Sequence, residues 1–299
     1  MSTFSNGKPF TAKTKISDVI NDPVFGTFGR LIFPVNDGYF DGSILSDIRL
    51  SWYSHIDPKK TVEIVNYMKS RTLSGEKIFY DIYSPVEKSR DNSKYDTGLF
   101  FFRGKPGAKF AICNAGGGFA YVGAMHDSFP HALELSKKGY NAFALIYRPD
   151  ARLACIDLAT AIKFIFDHSK SDLFNVDTSC YSLWGGSAGA RMAANLGSYG
   201  TAGFCDFDLP RPGAVIMQYT GHSHCSKNDP PTYNCVGTSD GIANWRVMND
   251  RIERLHKMGV DTEFHKYDGL GHGFGLGTGT VAEGWINDAI AFWEKQMKK

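Results

Sequence analysis

The 299-residue chain contains no uninterrupted apolar run long enough to span a bilayer. Its first residues, Met1-Ser2-Thr3-Phe4-Ser5-Asn6-Gly7-Lys8, lack the charged and then apolar stretches of a signal peptide. There is no dense Lys/Arg run, and 33 basic against 31 acidic side chains leave a net charge of only +2, so neither nucleic acid nor a membrane surface is expected as a partner. Cysteine is sparse and unpatterned. The six, at 113, 155, 180, 205, 225 and 235, include no C-x-x-C pair and read as reduced core or loop thiols of a cytoplasmic protein. The glycine-rich stretches are followed by no P-loop Lys-Ser/Thr and contain no G-x-G-x-x-G, which removes a phosphate-binding reading. Internal repeats and low-complexity segments are absent.

What is present is an ordinary globular composition, 42% hydrophobic and 21% charged, in a length that suits one large α/β domain over residues 1–299. Residues 1–56 hold the aromatic-rich run Val24-Phe25-Gly26-Thr27-Phe28 and later Tyr39-Phe40, too apolar for a disordered tail. This segment is expected to wrap the catalytic core, residues 57–299, as plain packing or as part of a lid. Asp57-Pro58 opens a helix marked by Val62, Ile64, Val65 and Met68. Ile78–Tyr83 and Thr97–Phe102 then predict an antiparallel edge pair. From there strand and helix alternate: strands at Lys109–Cys113, Ala142–Tyr147, Ser179–Trp184, Gly213–Tyr219, Thr232–Val236 and Thr262–Tyr267, with helices at His131–Lys137, Ile156–Phe166, Arg191–Leu196, Ala243–Met258 and Val281–Met297. Such alternation implies a mostly parallel sheet covered by helices on both faces.

Gly185-Gly186-Ser187-Ala188-Gly189 is a G-x-S-x-G set between a strand-like and a helix-like run, the setting a nucleophilic serine needs at a tight strand-to-helix turn. Gly237-Thr238-Ser239-Asp240-Gly241 has the same spacing, but too little chain follows Ser239 to supply both an acid and a histidine. A serine hydroxyl requires a base oriented by a carboxylate. His272, in a glycine-rich loop after the last strand, is the expected base. Asp240, after the preceding strand, is the expected carboxylate, ahead of Asp261 and of Asp268, whose Asp-Gly pair signals a turn. Asn114-Ala115-Gly116-Gly117-Gly118-Phe119 offers bare backbone N–H groups for a developing oxyanion. His222-Ser223-His224-Cys225 completes no familiar metal set and reads as a pocket wall or surface loop; Tyr147-Arg148-Pro149-Asp150 reads as a pocket border or an ion pair.

Together these residues resemble the α/β-hydrolase superfamily, in its carboxylesterase and lipase-like branch, from about Ile78 to the C-terminus. The order Ser187, Asp240, His272 is that superfamily's order. The Gly116-Gly117-Gly118 loop resembles the HGGG oxyanion motif of hormone-sensitive-lipase-like esterases, with Ala115 where that motif has histidine. The resemblance implies oxyanion donors at Gly117, Gly118 and Ala188. It further implies a serine carboxylesterase acting on small esters, acetylated carbohydrates among them, with no metal or organic cofactor. An amidase or peptidase, or a noncatalytic binding protein on the same fold, are the alternatives. Nothing in the sequence sets an oligomeric state.

Overall fold

In a computed structural model, which describes residues 7–34 and 43–299, the strand-like runs assemble into an eight-stranded sheet. The strands are β1 (Phe79–Tyr80), β2 (Gly98–Phe102), β3 (Lys109–Asn114), β4 (Asn141–Ile146), β5 (Asp177–Gly186), β6 (Ala214–Gln218), β7 (Thr232–Gly237) and β8 (Thr262–Tyr267), in the order β1-β2-β4-β3-β5-β6-β7-β8. β1 and β2 are antiparallel, β2 runs antiparallel to β4, and every pairing from β4 through β3 to β8 is parallel. Each residue of β2, β4, β6 and β7 is buried, as expected of strands covered on both faces.

Helices cover both faces, and β5 shows how. Successive side chains of a strand point to opposite faces. Trp184 lies against Trp285 and Trp293 of the last helix, Trp285–Met297. At the neighbouring Gly185, a Cβ would sit 2.3 Å from the Gly189 carbonyl carbon, so the helix Ala188–Tyr199 occupies the other face and touches β5 backbone to backbone. The strand order reverses between β3 and β5. A crevice therefore opens beyond their carboxyl ends, where a parallel sheet can admit a ligand.

Most boundaries shift by a few residues from the sequence expectation, the helix expected from Ile156 beginning already at Ala151, and two of the shifts have a clear local setting. β1 is two residues long because Ser84 and Glu87 form a reciprocal capping box that starts the helix Pro85–Arg90 and ends the extended run early. The last helix begins at Trp285 rather than Val281, after a turn that places Gly284 at φ 90°. The helix at Pro58–Leu73 follows the sequence closely, with Asp57 accepting from the N–H groups of Lys59 and Lys60.

The N-terminal segment packs into the same apolar cluster as the sheet. Ile16, Val19, Phe25, Leu31, Ile32 and Leu45 are buried there, and the Phe28 ring stacks on Phe79 and stands edge-on to Phe100 of the antiparallel edge. Tyr39 and Phe40 lie outside the described residues. Among the described residues no helix is long and apolar enough to cross a membrane, and all six cysteines are unpaired.

Candidate active site

The site is assembled by loops at the carboxyl ends of β3, β5, β7 and β8. Ser187 follows β5 directly, with φ 52° and ψ −115°, a conformation costly for a residue with a side chain. Its N–H donates to the Gln218 carbonyl (3.0 Å) at the end of β6, which holds the turn in place. A Cβ on Gly189 would lie 2.0 Å from the Asn114 carbonyl oxygen, so the elbow can seat against β3 only with glycine there. Strain is concentrated around this point. Of the six non-glycine residues with positive φ among the described residues, four (Trp52, Phe119, Ser187 and Tyr219) surround it.

His272 Nε2 stands 3.1 Å from Ser187 Oγ, and His272 Nδ1 is 2.7 Å from Asp240 Oδ2. The other carboxylate oxygen, Asp240 Oδ1, accepts from the N–H groups of Ile242 (2.8 Å) and Ala243 (2.7 Å). The Asp240 side chain is wholly buried and that of His272 nearly so, while Ser187 is partly exposed. With the Nδ1 proton directed at Asp240, Nε2 is left to accept the serine proton.

The loop after β3 runs beside the serine: a Cβ on Gly116 would fall 2.9 Å from Ser187 Cβ. The Tyr147 hydroxyl donates to the Ala115 carbonyl (2.6 Å), fixing the start of the loop at the position where the HGGG motif has histidine. Among the described residues, the N–H groups of Gly117, Gly118 and Ala188 have no protein acceptor, whereas the N–H of Gly116 is taken by Asp127 Oδ2 (2.8 Å). Residues 51–54 cross the top of this loop. The Trp52 ring stacks on Tyr121 (5.8 Å) and lies against Gly118, Tyr121 donates to the Ser51 carbonyl (2.6 Å), and both the N–H and the hydroxyl of Ser54 donate to the His272 carbonyl (3.2 and 2.6 Å). The N-terminal segment thus forms one wall of the site. Beside it lies a cavity of about 480 Å³ bounded by Ile56, Met125, His126, Phe274 and Leu276, which flanks the histidine loop and is not lined by Ser187 or His272.

No protein-family model matches this chain, and neither does any curated protein. Solved structures do. MGS-M1, an alpha/beta hydrolase enzyme from a Medee basin deep-sea metagenome library, superposes with a TM-score of 0.57 at 20% identity over 68% of this chain and 93% of that one. The chain has the α/β-hydrolase fold. Other structures sharing this α/β-hydrolase fold are an acetyl ester-xyloside bifunctional hydrolase from Caldicellulosiruptor lactoaceticus (TM-score 0.59, 24% identity, 67% of this chain and 88% of that one) and a thermophilic esterase, Est2, from Thermogutta terrifontis (TM-score 0.53, 16% identity, 67% and 88%).

The remaining sequence candidates fall elsewhere on this α/β-hydrolase scaffold. Ser239 is exposed, with its N–H bonded to the Leu270 carbonyl (3.0 Å). Asp268 lies in an exposed turn, and Asp261 pairs with Lys299. His222 and His224 have ring centroids 6.4 Å apart; His224 stacks on Tyr199, and among the described residues no group of three or more potential ligands could hold a metal ion. Arg148 is a buried ion-pair residue, joined to Asp157 (2.7 Å) and Asp91 (2.9 Å), so that segment braces the fold. Asp127, Tyr53 and Tyr219 are drawn into the site without a sequence signal; no spacing or motif marks them.

Proposed function

We propose that the protein is a serine carboxylesterase. The observation that carries this reading is the unbroken hydrogen-bonded succession Ser187, His272, Asp240 at the crevice of the sheet, beside a loop with free backbone donors. Ser187 Oγ attacks the ester carbonyl carbon while His272 Nε2 takes its proton. The carbonyl oxygen, now carrying the negative charge, is received by the N–H groups of Gly117, Gly118 and Ala188. Asp240 stabilises the imidazolium across the 2.7 Å contact at Nδ1. The tetrahedral intermediate collapses, the C–O bond to the alcohol breaks, and His272 returns the proton to the departing alkoxide oxygen. Water, deprotonated by the same imidazole, then attacks the acyl carbonyl carbon; the bond to Ser187 Oγ breaks, His272 returns the proton to Oγ, and the acid leaves.

Solved structures of the same fold include an acetyl ester-xyloside bifunctional hydrolase, a sugar hydrolase from Lactococcus lactis and an esterase with propionate bound, which supports short acyl chains and carbohydrate alcohols as the first substrates to try. The deciding experiment compares wild type and Ser187→Ala on p-nitrophenyl acetate, its anilide counterpart and acetylated xylose. Loss of kcat by about ten thousandfold is expected on the esters. Equal turnover by Ser187→Ala would defeat the assignment, and faster anilide than ester hydrolysis by wild type would make the enzyme an amidase.

A further inference from the structure

Asp127 ends the short helix Ala124–Asp127 and is 2% exposed. Its carboxylate accepts from three neutral donors: the Gly116 N–H (2.8 Å), the Tyr53 hydroxyl (3.1 Å) and the Tyr219 hydroxyl. Each donor belongs to a different part of the site. Gly116 begins the oxyanion loop, Tyr53 lies in the N-terminal segment that walls it, and Tyr219 follows β6 and presents its ring edge-on to His272, with centroids 4.9 Å apart. The Tyr219 oxygen also accepts from the Gly275 N–H (3.3 Å), three residues beyond the imidazole. Burial, and then the Asp127 charge, push the Tyr53 and Tyr219 phenols well above their ordinary values, so both remain O–H donors across the neutral range.

The chain leaves room for this carboxylate directly behind the nucleophile. A Cβ on Gly186, the residue before Ser187, would lie 2.3 Å from Asp127 Oδ2, and one on Gly116 would lie 2.8 Å from the same oxygen. Any side chain at either position would evict it. A buried carboxylate is costly unless its oxygens are hydrogen-bonded, and here both are.

We propose that Asp127 is a positioning residue for acyl transfer: one buried carboxylate sets the oxyanion loop through Gly116 and the imidazole loop through Tyr219. This rests on the esterase reading above. Because Gly116 N–H is held by Asp127, the loop that carries the N–H groups of Gly117 and Gly118, which have no protein acceptor among the described residues, starts from a fixed point beside Ser187. Because Tyr219 is pinned at its hydroxyl, its ring limits how far His272 can swing from Ser187. Displacement of either by about 1 Å is enough to lower the rate roughly a hundredfold.

The test uses Asp127→Asn, which keeps the shape but replaces one acceptor oxygen with a donor, and Tyr219→Phe, which removes one hydroxyl and keeps the ring. Competent sites are first counted by fluorophosphonate labelling carried to its endpoint. kcat and KM for p-nitrophenyl acetate are then expressed per competent site. In Asp127→Asn, kcat is expected to fall about a hundredfold with KM changed by no more than about twofold, and in Tyr219→Phe about tenfold. A purely structural role would lower the fraction of competent sites and leave kcat per site unchanged, and that result overturns the proposal. If Asp127→Asn does not fold, Tyr219→Phe decides alone by the same criterion. Full activity in Ser187→Ala would defeat the esterase reading itself, whereas loss there together with full activity in Asp127→Asn defeats only the role given to Asp127.

Discussion

At Ser187 a positive φ that a serine tolerates poorly is held by two backbone contacts: the bond to Gln218 and the close seat of Gly189 on Asn114. Comparable local costs are visible at His126 and His222, two buried imidazoles whose Nε2 atoms have no hydrogen-bond partner. Burial pushes both down to about 3 from the ordinary 6.5, with Arg251 and Arg191 adding to the effect at His222. The unfolded chain therefore binds protons between about pH 6.5 and pH 3 that the folded chain refuses, so stability is complete above that window and declines as the pH falls through it. His126→Gln should flatten this decline. Urea midpoints at pH 7 and pH 5 measure it, and an equal loss in wild type and variant would show that His126 is not a source of acid lability.

At the scale of elements, the site depends on helices and loops being locked to the ends of the strands. The helix Trp245–Lys257, which follows the Asp240 loop, is tied to the segment before β7 by Arg251, whose guanidinium meets Asp229 Oδ2 at 2.7 Å with both side chains almost wholly buried. Asp229 Oδ1 also accepts from Ser198 (2.7 Å) and Ser226 (3.0 Å). Removing one member of such a pair leaves an uncompensated buried charge, at a cost of about 3–5 kcal/mol. Asp229→Ala should show a loss of that size in urea unfolding, while Asp261→Ala, which breaks a partly exposed pair with Lys299, should cost less than about 1 kcal/mol. Equal effects would mean that burial does not set the strength of these contacts.

Across the whole molecule, the N-terminal segment is part of both the core and the site. Ile16, Val19, Phe25, Leu31, Ile32 and Leu45 are buried. At about 1.5–3 kcal/mol each, their burial is comparable to the entire stability of a domain, about 5–15 kcal/mol. Tyr53 and Ser54 add the contacts to Asp127 and to the His272 carbonyl. Deleting residues 1–56 should therefore abolish cooperative unfolding, raise dye binding to exposed apolar surface and remove ester hydrolysis. A truncated chain with a native near-ultraviolet spectrum and undiminished turnover would show that the segment is an accessory.

The sequence alone determined the alternation of strands and helices, since period and punctuation are local properties. It also marked Ser187, His272 and Asp240, because a tight elbow demands small neighbours and because strand-end loops are where a parallel sheet exposes side chains. It read β1 as too long where a capping box competed with an apolar run, and it left the N-terminal aromatics between packing and lid. Tertiary structure alone decided the rest. Asp127 lies in Ala124-Met125-His126-Asp127, a stretch with no motif, and becomes part of the site only because the fold brings Gly116, Tyr53 and Tyr219, separated by up to 166 positions, around one carboxylate. Hydrogen bonds between residues so far apart in the chain leave no periodic trace, so only the folded arrangement reveals them.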